Sequence, residues 1–217
     1  MKISVITPSI RPEGLKVVQE SLANQTFQDF EWLTEIGFGK EMTLNKDMNK
    51  MLRRAKGELI VSLQDYISIP SDGLDRFWLQ YLLNKNLFMT SPVGKTLDWK
   101  DIRWDWRGNG KIREIEPAAW EIDWAAAPLK AFQDVGGFDE DFDRGWSWEN
   151  ANLAMRAEKL GYKFIVMTEN KAVAYDHDVV MDHPFRDKIP NNDTLAEIKR
   201  DAIEKGDWKL GYLTRLQ

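Results

Sequence analysis

The chain lacks several features that would define its class. None of its 217 residues is a cysteine, which excludes a disulfide framework and a thiolate metal site. No apolar run approaches the length of a membrane span, and the opening "MKISVITP" is interrupted by Pro8 too early for a signal peptide. A formal net charge of −5 argues against a general polyanion-binding surface, although it leaves room for a local basic groove. We therefore expect a soluble cytoplasmic protein.

Tryptophan, in contrast, is abundant. The chain has ten, and seven of them fall between Trp99 and Trp148. An indole ring buries a large area but carries an N–H that needs a partner, so such a cluster is either core or a surface on which sugar or base rings stack. We expect core packing for most of the ten. The length and the 43% hydrophobic content suit one large globular domain.

The first ninety residues alternate between two hydrophobic patterns. Short apolar runs typical of buried strands occupy 3–7, 30–34 and 58–63. A helical pattern after Pro12 and a second one through Met48 separate these runs. The order β-α-β-α-β predicts a parallel sheet.

Further elements follow with less regularity. The pattern predicts a helix with an apolar stripe through Leu74, Phe77, Trp78, Tyr81 and Leu82, then a strand over 87–91 and a hairpin at Asn109-Gly110. It next predicts a short helix ended by Gly136 and a helix over 150–160, with Leu153, Ala157 and Leu160 on its apolar face and Gly161 beyond it. Strands over 163–167 and 171–175 follow, and the last predicted helix has a capping box from Thr194 to Glu197. No internal repeat or low-complexity segment interrupts them.

Ligands of open parallel sheets bind beyond the carboxyl ends of the strands. The three relevant loops here are "TPSIRP", "EIGFGKE" and "QDYISIP". None has the spacing of a P-loop or of a G-x-G-x-x-G fingerprint, which disfavours an ordinary NTPase or dehydrogenase. A nucleotide is still compatible with these loops if a carboxylate contacts its base or ribose and a divalent cation neutralises its diphosphate.

Three segments, in order, resemble the inverting family-2 glycosyltransferases. They are "SVITPSIRPEGLKVVQESLANQTFQDFEW", "NKMLRRAKGELIVSLQDY" and "GGFDEDFDRGWSWENANLAMRAEKLGYKF". The resemblance covers roughly residues 1–178 and implies an α/β GT-A fold, a nucleotide-binding Rossmann-like mixed sheet flanked by helices. It implies a single domain over 1–217 with a nucleotide-sugar half (1–92), an acceptor-side half (93–180) and a C-terminal helical extension (181–217). The implied reaction is metal-assisted and moves a sugar from a nucleotide-diphosphate sugar, of UDP or GDP type, to an acceptor hydroxyl with inversion. The acceptor is open among a glycan, a small molecule, a protein and a nucleic acid.

The resemblance also implies roles for individual residues. Glu149, with Asn150 beside it, corresponds to the catalytic "E-D" pair, and Asp65 with His177 corresponds to the ligands of Mg²⁺ or Mn²⁺, a role for which His183 competes. The implied donor-binding residues are Pro8, Ser9, Arg11, Glu35, Asn49, Gln64 and Asp65. The implied acceptor-binding residues are Asp141, Trp146 and Trp148.

The chain departs from the family pattern at the metal and base positions. The D-x-D motif falls on Gln64-Asp65-Tyr66, the paired acids after the second strand reduce to Glu35, and the "E-D" pair becomes Glu149-Asn150. Some GT-A relatives that glycosylate polypeptides also have asparagine there. These changes leave open an altered metal site or a sugar- or nucleotide-binding module without turnover.

Each candidate also has a structural explanation. An acid such as Glu149 is favoured at a helix N-terminus, a loop aspartate such as Asp65 bonds its own backbone, and the acids from 139 to 143 suit a solvated turn as well as an acceptor rim. A nucleotidyltransferase is a third functional class, but it normally has a basic glycine-rich loop after the first strand, which "TPSIRPEG" supplies poorly.

Overall fold

The structure, a computed structural model, describes residues 1–10, 12–37, 43–96, 100–145, 147–175 and 191–208. Within these ranges, six α-helices pack around a seven-stranded mixed sheet, and a four-stranded sheet lies beside it. The helices are α1 (Pro12–Ala23), α2 (Leu44–Arg54), α3 (Gly73–Leu83), α4 (Leu129–Val135), α5 (Glu149–Glu158) and α6 (Asp193–Lys205).

The larger sheet has the predicted parallel strands at one side. Its order is β2-β1-β3-β9-β5-β10-β8, made of β1 (Ile3–Ser9), β2 (Phe30–Ile36), β3 (Leu59–Leu63), β5 (Leu87–Thr90), β8 (Arg113–Glu114), β9 (Trp124–Pro128) and β10 (Lys163–Val166). Strand β1 is parallel to both β2 and β3, which confirms the prediction from the β-α-β-α-β pattern.

Both faces of this sheet are covered, which explains why β1 is apolar without alternation. Val5 packs with Val18 of α1 and Phe77 of α3, whereas its neighbour Ile6 packs with Met48 of α2 and residues of α4 and α5. Successive side chains of a strand point to opposite faces, so each face requires its own apolar residues. The core therefore consists of two hydrophobic layers with the sheet between them.

Strand β9 enters the sheet antiparallel between β3 and β5. Its first residue, Trp124, lies opposite Leu63 at the end of β3, and the backbone N–H of Gln64 donates to the carbonyl of Asp123 at 3.0 Å. The residues just before β9 consequently lie at the carboxyl edge of the parallel strands, where ligands of such sheets bind.

The four-stranded sheet corrects the prediction of a hairpin at Asn109-Gly110. Its order is β4-β11-β6-β7, with β4 (Ile67–Ser68), β6 (Val93–Thr96), β7 (Arg103–Trp104) and β11 (Ala172–Tyr175). The strands on either side of the dipeptide do not pair with each other, because β7 pairs with β6 and β8 pairs with β10. Between them the chain is held by Arg107, which is 3% exposed and ion-paired to Asp105 and Asp123.

Three further local predictions were wrong, whereas three glycine helix ends are confirmed. Leu82 belongs to a predicted apolar stripe but is 52% exposed. Leu160, predicted inside a helix over 150–160, lies beyond α5, which ends at Glu158, and is 39% exposed. The 3.6-residue period tells which positions share a face, but not how far along the helix that face is covered. Thr194 lies inside α6, whose N-cap residue is Asn192, so the capping box does not form. Left-handed glycines follow α4, α5 and α6 at positions 136, 161 and 206.

A helix that crosses a bilayer needs about 20 consecutive apolar residues. The longest described helix, α6, has 13 residues, and none of the described helices is long and apolar enough to cross a membrane.

Candidate functional site

The exits of β1 and β3 are joined through Asp65. The Ser9 hydroxyl donates to Asp65 Oδ2 at 2.6 Å, and the two residues are only 5% and 6% exposed. Gly14, in the first turn of α1, packs directly on this loop, because a Cβ at that position would lie 2.3 Å from the Asp65 carbonyl oxygen. Ser9 and Asp65, which are both predicted to bind the nucleotide-sugar donor, are therefore close together and held in place.

The exit of β2 adds Glu35 to this edge. Glu35 lies opposite Pro8 in the strand register. Its carboxylate forms ion pairs with Arg54 Nη2 at 2.8 Å and with Lys50 Nζ at 3.7 Å. Both cations belong to α2, so this helix positions the predicted nucleoside-contacting acid.

Asn49 lies elsewhere in the structure. It is completely buried, and its amide nitrogen donates to the Phe138 carbonyl and to Glu140 Oε1, both at 2.9 Å. Its amide oxygen accepts from the Phe138 N–H at 2.8 Å. Asn49 thus joins α2 to the "GGFDE" segment, and its donor-binding role stays a prediction.

Other predicted residues are placed as follows. The Gln64 side chain accepts a hydrogen bond from the Tyr66 hydroxyl, and Asp141 pairs with Lys199 of α6 at 2.7 Å. Arg11, Trp146, His177 and His183 lie outside the described residues.

A cavity of about 430 Å³ lies between the start of α2, the segment before β9 and the turn before α5. It contains three predicted site residues, Trp148, Glu149 and Asn150, and adds two acids, Glu121 and Asp143. The described lining residues are Leu44, Asn45, Ala118, Trp120, Glu121, Phe142, Asp143, Gly145, Ser147, Trp148, Glu149, Asn150 and Ala151.

The carboxyl groups of this cavity have raised pKa values. Burial raises the pKa of Glu149, the first residue of α5, and the charge of Asp143 raises it further. Glu121 lies at the exposed rim, where partial desolvation and then the charge of Asp123 raise its pKa. A carboxylate whose pKa is raised toward neutrality is a better proton acceptor, as a general base requires.

Asp143 also has a structural role. Its carboxylate accepts hydrogen bonds from the backbone N–H groups of Asn45 and Lys46, at 2.8 and 3.0 Å. These groups belong to the first turn of α2, whose N-cap residue Thr43 makes no side-chain capping bond. Asp143 therefore caps α2 from a distant part of the sequence. Burial nevertheless raises its pKa above the usual range, against the opposing effect of these hydrogen bonds.

The turn that leads into α5 is strained. Ser147 and Trp148 have φ values of 80° and 74°, a left-handed conformation that is rare for residues other than glycine and of a kind that clusters at functional sites. The Trp148 indole N–H donates to Asp193 Oδ1 at 2.6 Å, and the Asn192 amide donates to the Ser147 carbonyl at 3.2 Å. The start of α6 therefore holds the turn in the conformation that directs Glu149 to the cavity.

Several of these residues were missed by sequence reasoning. Glu121 lies three residues before the buried run "WAAAP", and Asp123 lies closer to that run, so the sequence did not distinguish Glu121. Nothing in the sequence singled out Asn45, which contributes to the cavity from α2, or Arg107, whose guanidinium binds Asp123 twice at 2.7 Å.

The tryptophans divide between core and surface. Trp78, Trp120, Trp124 and Trp208 are buried, as the core explanation predicts. Trp104 and Trp106 are 40% and 47% exposed, and Trp104 lines a second cavity of about 440 Å³ that also includes Gln64 and Tyr66.

Asp65 offers one carboxylate group for the predicted divalent cation. Within the described ranges, no group of three histidine, aspartate or glutamate side chains is placed to hold a metal. Mg²⁺, however, is usually bound through one or two carboxylates, with phosphate oxygens and waters in the remaining positions. The predicted metal site therefore requires the diphosphate of the donor as a ligand.

The sequence matches no protein-family model and no curated protein. Solved structures of S. aureus TarS 1-349 do match, one in complex with UDP and one in complex with UDP-GlcNAc, each with a TM-score of 0.62. The chain has the fold of TarS. Identity is 17% and 16%, and the matches cover 80% and 82% of this chain. The chain spans only 60% and 59% of the two TarS structures.

This likeness confirms the predicted GT-A type of fold, with its mixed sheet flanked by helices. The assignment to family 2 and its motifs stays a prediction, because sequence identity at this level establishes the fold alone.

Proposed function

We propose that the chain transfers a sugar from a nucleotide-diphosphate sugar to an acceptor hydroxyl, with inversion. The observation that carries this proposal is the position of Glu149, a carboxyl group with a raised pKa in a cavity of about 430 Å³. Support for a nucleotide-sugar donor comes from the TarS structures, which share the fold and contain UDP or UDP-GlcNAc.

In this reaction Glu149 takes the proton of the acceptor hydroxyl. The hydroxyl oxygen then attacks the anomeric carbon from the face opposite the diphosphate, and the bond between that carbon and the diphosphate oxygen breaks. The nucleoside diphosphate leaves with the bonding electron pair. Removal of the proton in the transition state typically accelerates such a step about 10²- to 10⁴-fold.

The donor occupies the edge formed by the exits of β1, β2 and β3. Ser9, Glu35 and Asp65 are the described side chains that we assign to it, and Arg11 is assigned from the sequence. Asp65 would hold Mg²⁺ or Mn²⁺, which would stabilise the negative charge of the leaving diphosphate. The segment before β9 connects this edge to the cavity, because Gln64 bonds Asp123 and Glu121 lies two residues earlier.

The decisive experiment measures UDP release from UDP-GlcNAc and related nucleotide sugars with Mn²⁺ and a panel of acceptors. We expect Glu149→Gln to reduce release at least about 100-fold, the lower end for loss of a general base. Glu158→Gln is the matched control, because Glu158 is exposed at the opposite end of the same helix. Equal rates for the two variants would refute the assignment of Glu149.

A non-catalytic nucleotide- or sugar-binding module is the second candidate. It is favoured by the reduction of D-x-D to Gln64-Asp65-Tyr66 and by the engagement of Glu35 with two cations. UDP binding without release from any nucleotide sugar or acceptor would support the module over the enzyme. In either case Asp65→Asn tests the metal, since it should remove the increase in UDP affinity that Mn²⁺ produces, and exposed Asp201→Asn should not.

A further inference from the structure

The polar side chains that line the cavity beside Glu149 are mainly hydrogen-bond acceptors. Its described side chains include three carboxylates, Glu121, Asp143 and Glu149, and no lysine, arginine or histidine. Buried or partly buried carboxylates are normally compensated by a cation or by hydrogen-bond donors. Among these three, Asp143 is compensated by the backbone of α2. Glu121 accepts a long bond of 3.4 Å from Asn150 Nδ2, and the charge of Arg107 only partly offsets the rise in its pKa.

Two amide oxygens in the cavity lining also lack donors. Asn45 Oδ1 and Asn150 Oδ1 are buried without a hydrogen-bond partner. Asn45 is 2% exposed, and its orientation is determined by the bond from its amide nitrogen to Asp143 Oδ1 at 2.9 Å. Buried acceptors without partners are rare in folded proteins, and a bound ligand or water commonly satisfies them. A ligand that donates hydrogen bonds would satisfy these two oxygens.

Trp148 contributes apolar surface to the same cavity. Its indole N–H is already donated to Asp193, so the part of the side chain that remains for a ligand is the ring. The C–H face of a sugar ring packs well against such a ring, while the hydroxyl groups around its edge act as donors.

We propose that the acceptor bound in this cavity is an amino sugar, with its protonated amine among the carboxylates and its hydroxyl groups directed to the two amide oxygens. This inference rests on the proposed function, because it assigns a chemical class to the acceptor. A neutral sugar satisfies the amide oxygens but brings no counter-charge to Glu121 and Glu149. An acidic sugar, such as a uronate, adds a fourth negative charge and is excluded.

The test titrates the whole chain, without nucleotide, with glucosamine, glucose and glucuronate. Binding is followed through the indole N–H signals in ¹H–¹⁵N NMR spectra, with the Trp148 signal identified by its loss in Trp148→Phe. We expect glucosamine to bind at least about tenfold more tightly than glucose, a difference of roughly 1.4 kcal/mol. Raising the salt from about 50 to about 500 mM should weaken glucosamine binding and leave glucose binding unchanged, because screening acts on the charge interaction.

Glu121→Gln should reduce the preference for glucosamine, whereas Glu116→Gln, an exposed acid in the same segment, should not. Equal affinity for glucosamine and glucose, or no binding of either, would overturn the inference.

Nucleotide assays separate this inference from the proposed function. Sugar transfer to neutral acceptors with no preference for amines overturns the amino-sugar inference and leaves the proposed function standing. Selective glucosamine binding in a chain that consumes no nucleotide sugar overturns the proposed function and leaves amine recognition by the cavity standing. Transfer that is faster to amino sugars than to neutral sugars supports both.

Discussion

Replacement of Asn49 separates a structural role from the donor-binding role that its sequence context implies. The side chain makes three hydrogen bonds, two to the backbone of Phe138 and one to Glu140, and it is completely buried. We expect Asn49→Ala to lower stability by detaching the segment before α5 from α2. Asn49→Asp should also be destabilising, because its carboxylate would face the Phe138 carbonyl oxygen and the carboxylate of Glu140.

The magnitude follows from these bonds. Each hydrogen bond contributes a net ~1 kcal/mol, and a buried backbone group left without a partner costs about 1–3 kcal/mol. The alanine variant loses all three bonds and leaves the N–H and the carbonyl of Phe138 unsatisfied. Its free energy of unfolding should therefore fall by about 3–5 kcal/mol.

Urea unfolding, followed by circular dichroism, measures the change. Asn24→Ala is the control, because Asn24 is exposed and donates one bond to Glu20, so its effect should stay within about 0.5 kcal/mol. The result that would refute the reasoning is an unchanged free energy of unfolding for Asn49→Ala combined with weaker UDP binding. That outcome would assign Asn49 to the donor.

Three other changes test neighbouring parts of the structure. Gly14→Ala should lower the free energy of unfolding by about 1–3 kcal/mol and weaken UDP binding, because the new methyl group must displace Asp65. Each kcal/mol corresponds to a decrease of roughly 2–4 °C in the melting temperature, and an unchanged melting temperature would contradict this packing. Arg107→Met should lower the free energy of unfolding by about 3–5 kcal/mol, because it leaves the carboxylates of Asp105 and Asp123 without their cation. A loss of less than about 1 kcal/mol in urea titrations would argue against a stabilising role for these two ion pairs. Glu149→Gln should raise the melting temperature at pH 7 but not near pH 4. Burial raises the pKa of Glu149 in the folded state, so the stability associated with its protonated form is present at low pH and is lost as the pH rises through that pKa. Glutamine stays neutral and therefore avoids this loss at pH 7. A stabilisation of the same size at both pH values would show that ionisation of Glu149 is not its cause.

The first half of the fold was predictable because its signals are local. A continuous apolar run such as 3–7 and a helical repeat such as the one through Met48 each identify an element without knowledge of its partners. Pairing between distant strands has no such signal. Nothing in "WAAAP" shows that β9 inserts antiparallel between β3 and β5, and the Asn109-Gly110 dipeptide indicates a turn without showing that its flanking strands join different sheets.

The same distinction applies to the site. Ser9 and Glu35 lie in the last residues of β1 and β2, and Asp65 follows β3, so their place at this edge could be predicted from position alone. Glu121 could not, because it reaches the cavity only through the placement of β9. Asn45 likewise depends on the contact between α2 and Asp143, residues that are far apart in the sequence.

The "GGFDEDFDRGWSWEN" segment contains many acids because it joins two helices, α2 and α6, to the cavity. Asp139 and Asp141 pair with Lys199 of α6, and Glu140 bonds Asn49 of α2. Asp143 caps α2 and also lines the cavity. An acceptor rim made only of solvated acids would change shape with salt and pH, whereas acids that are individually bonded hold the strained turn and Glu149 in one position. The acidic composition of the segment therefore supplies the rigidity that the proposed general base needs, because Glu149, the last acid of the segment, is the one that we assign to chemistry.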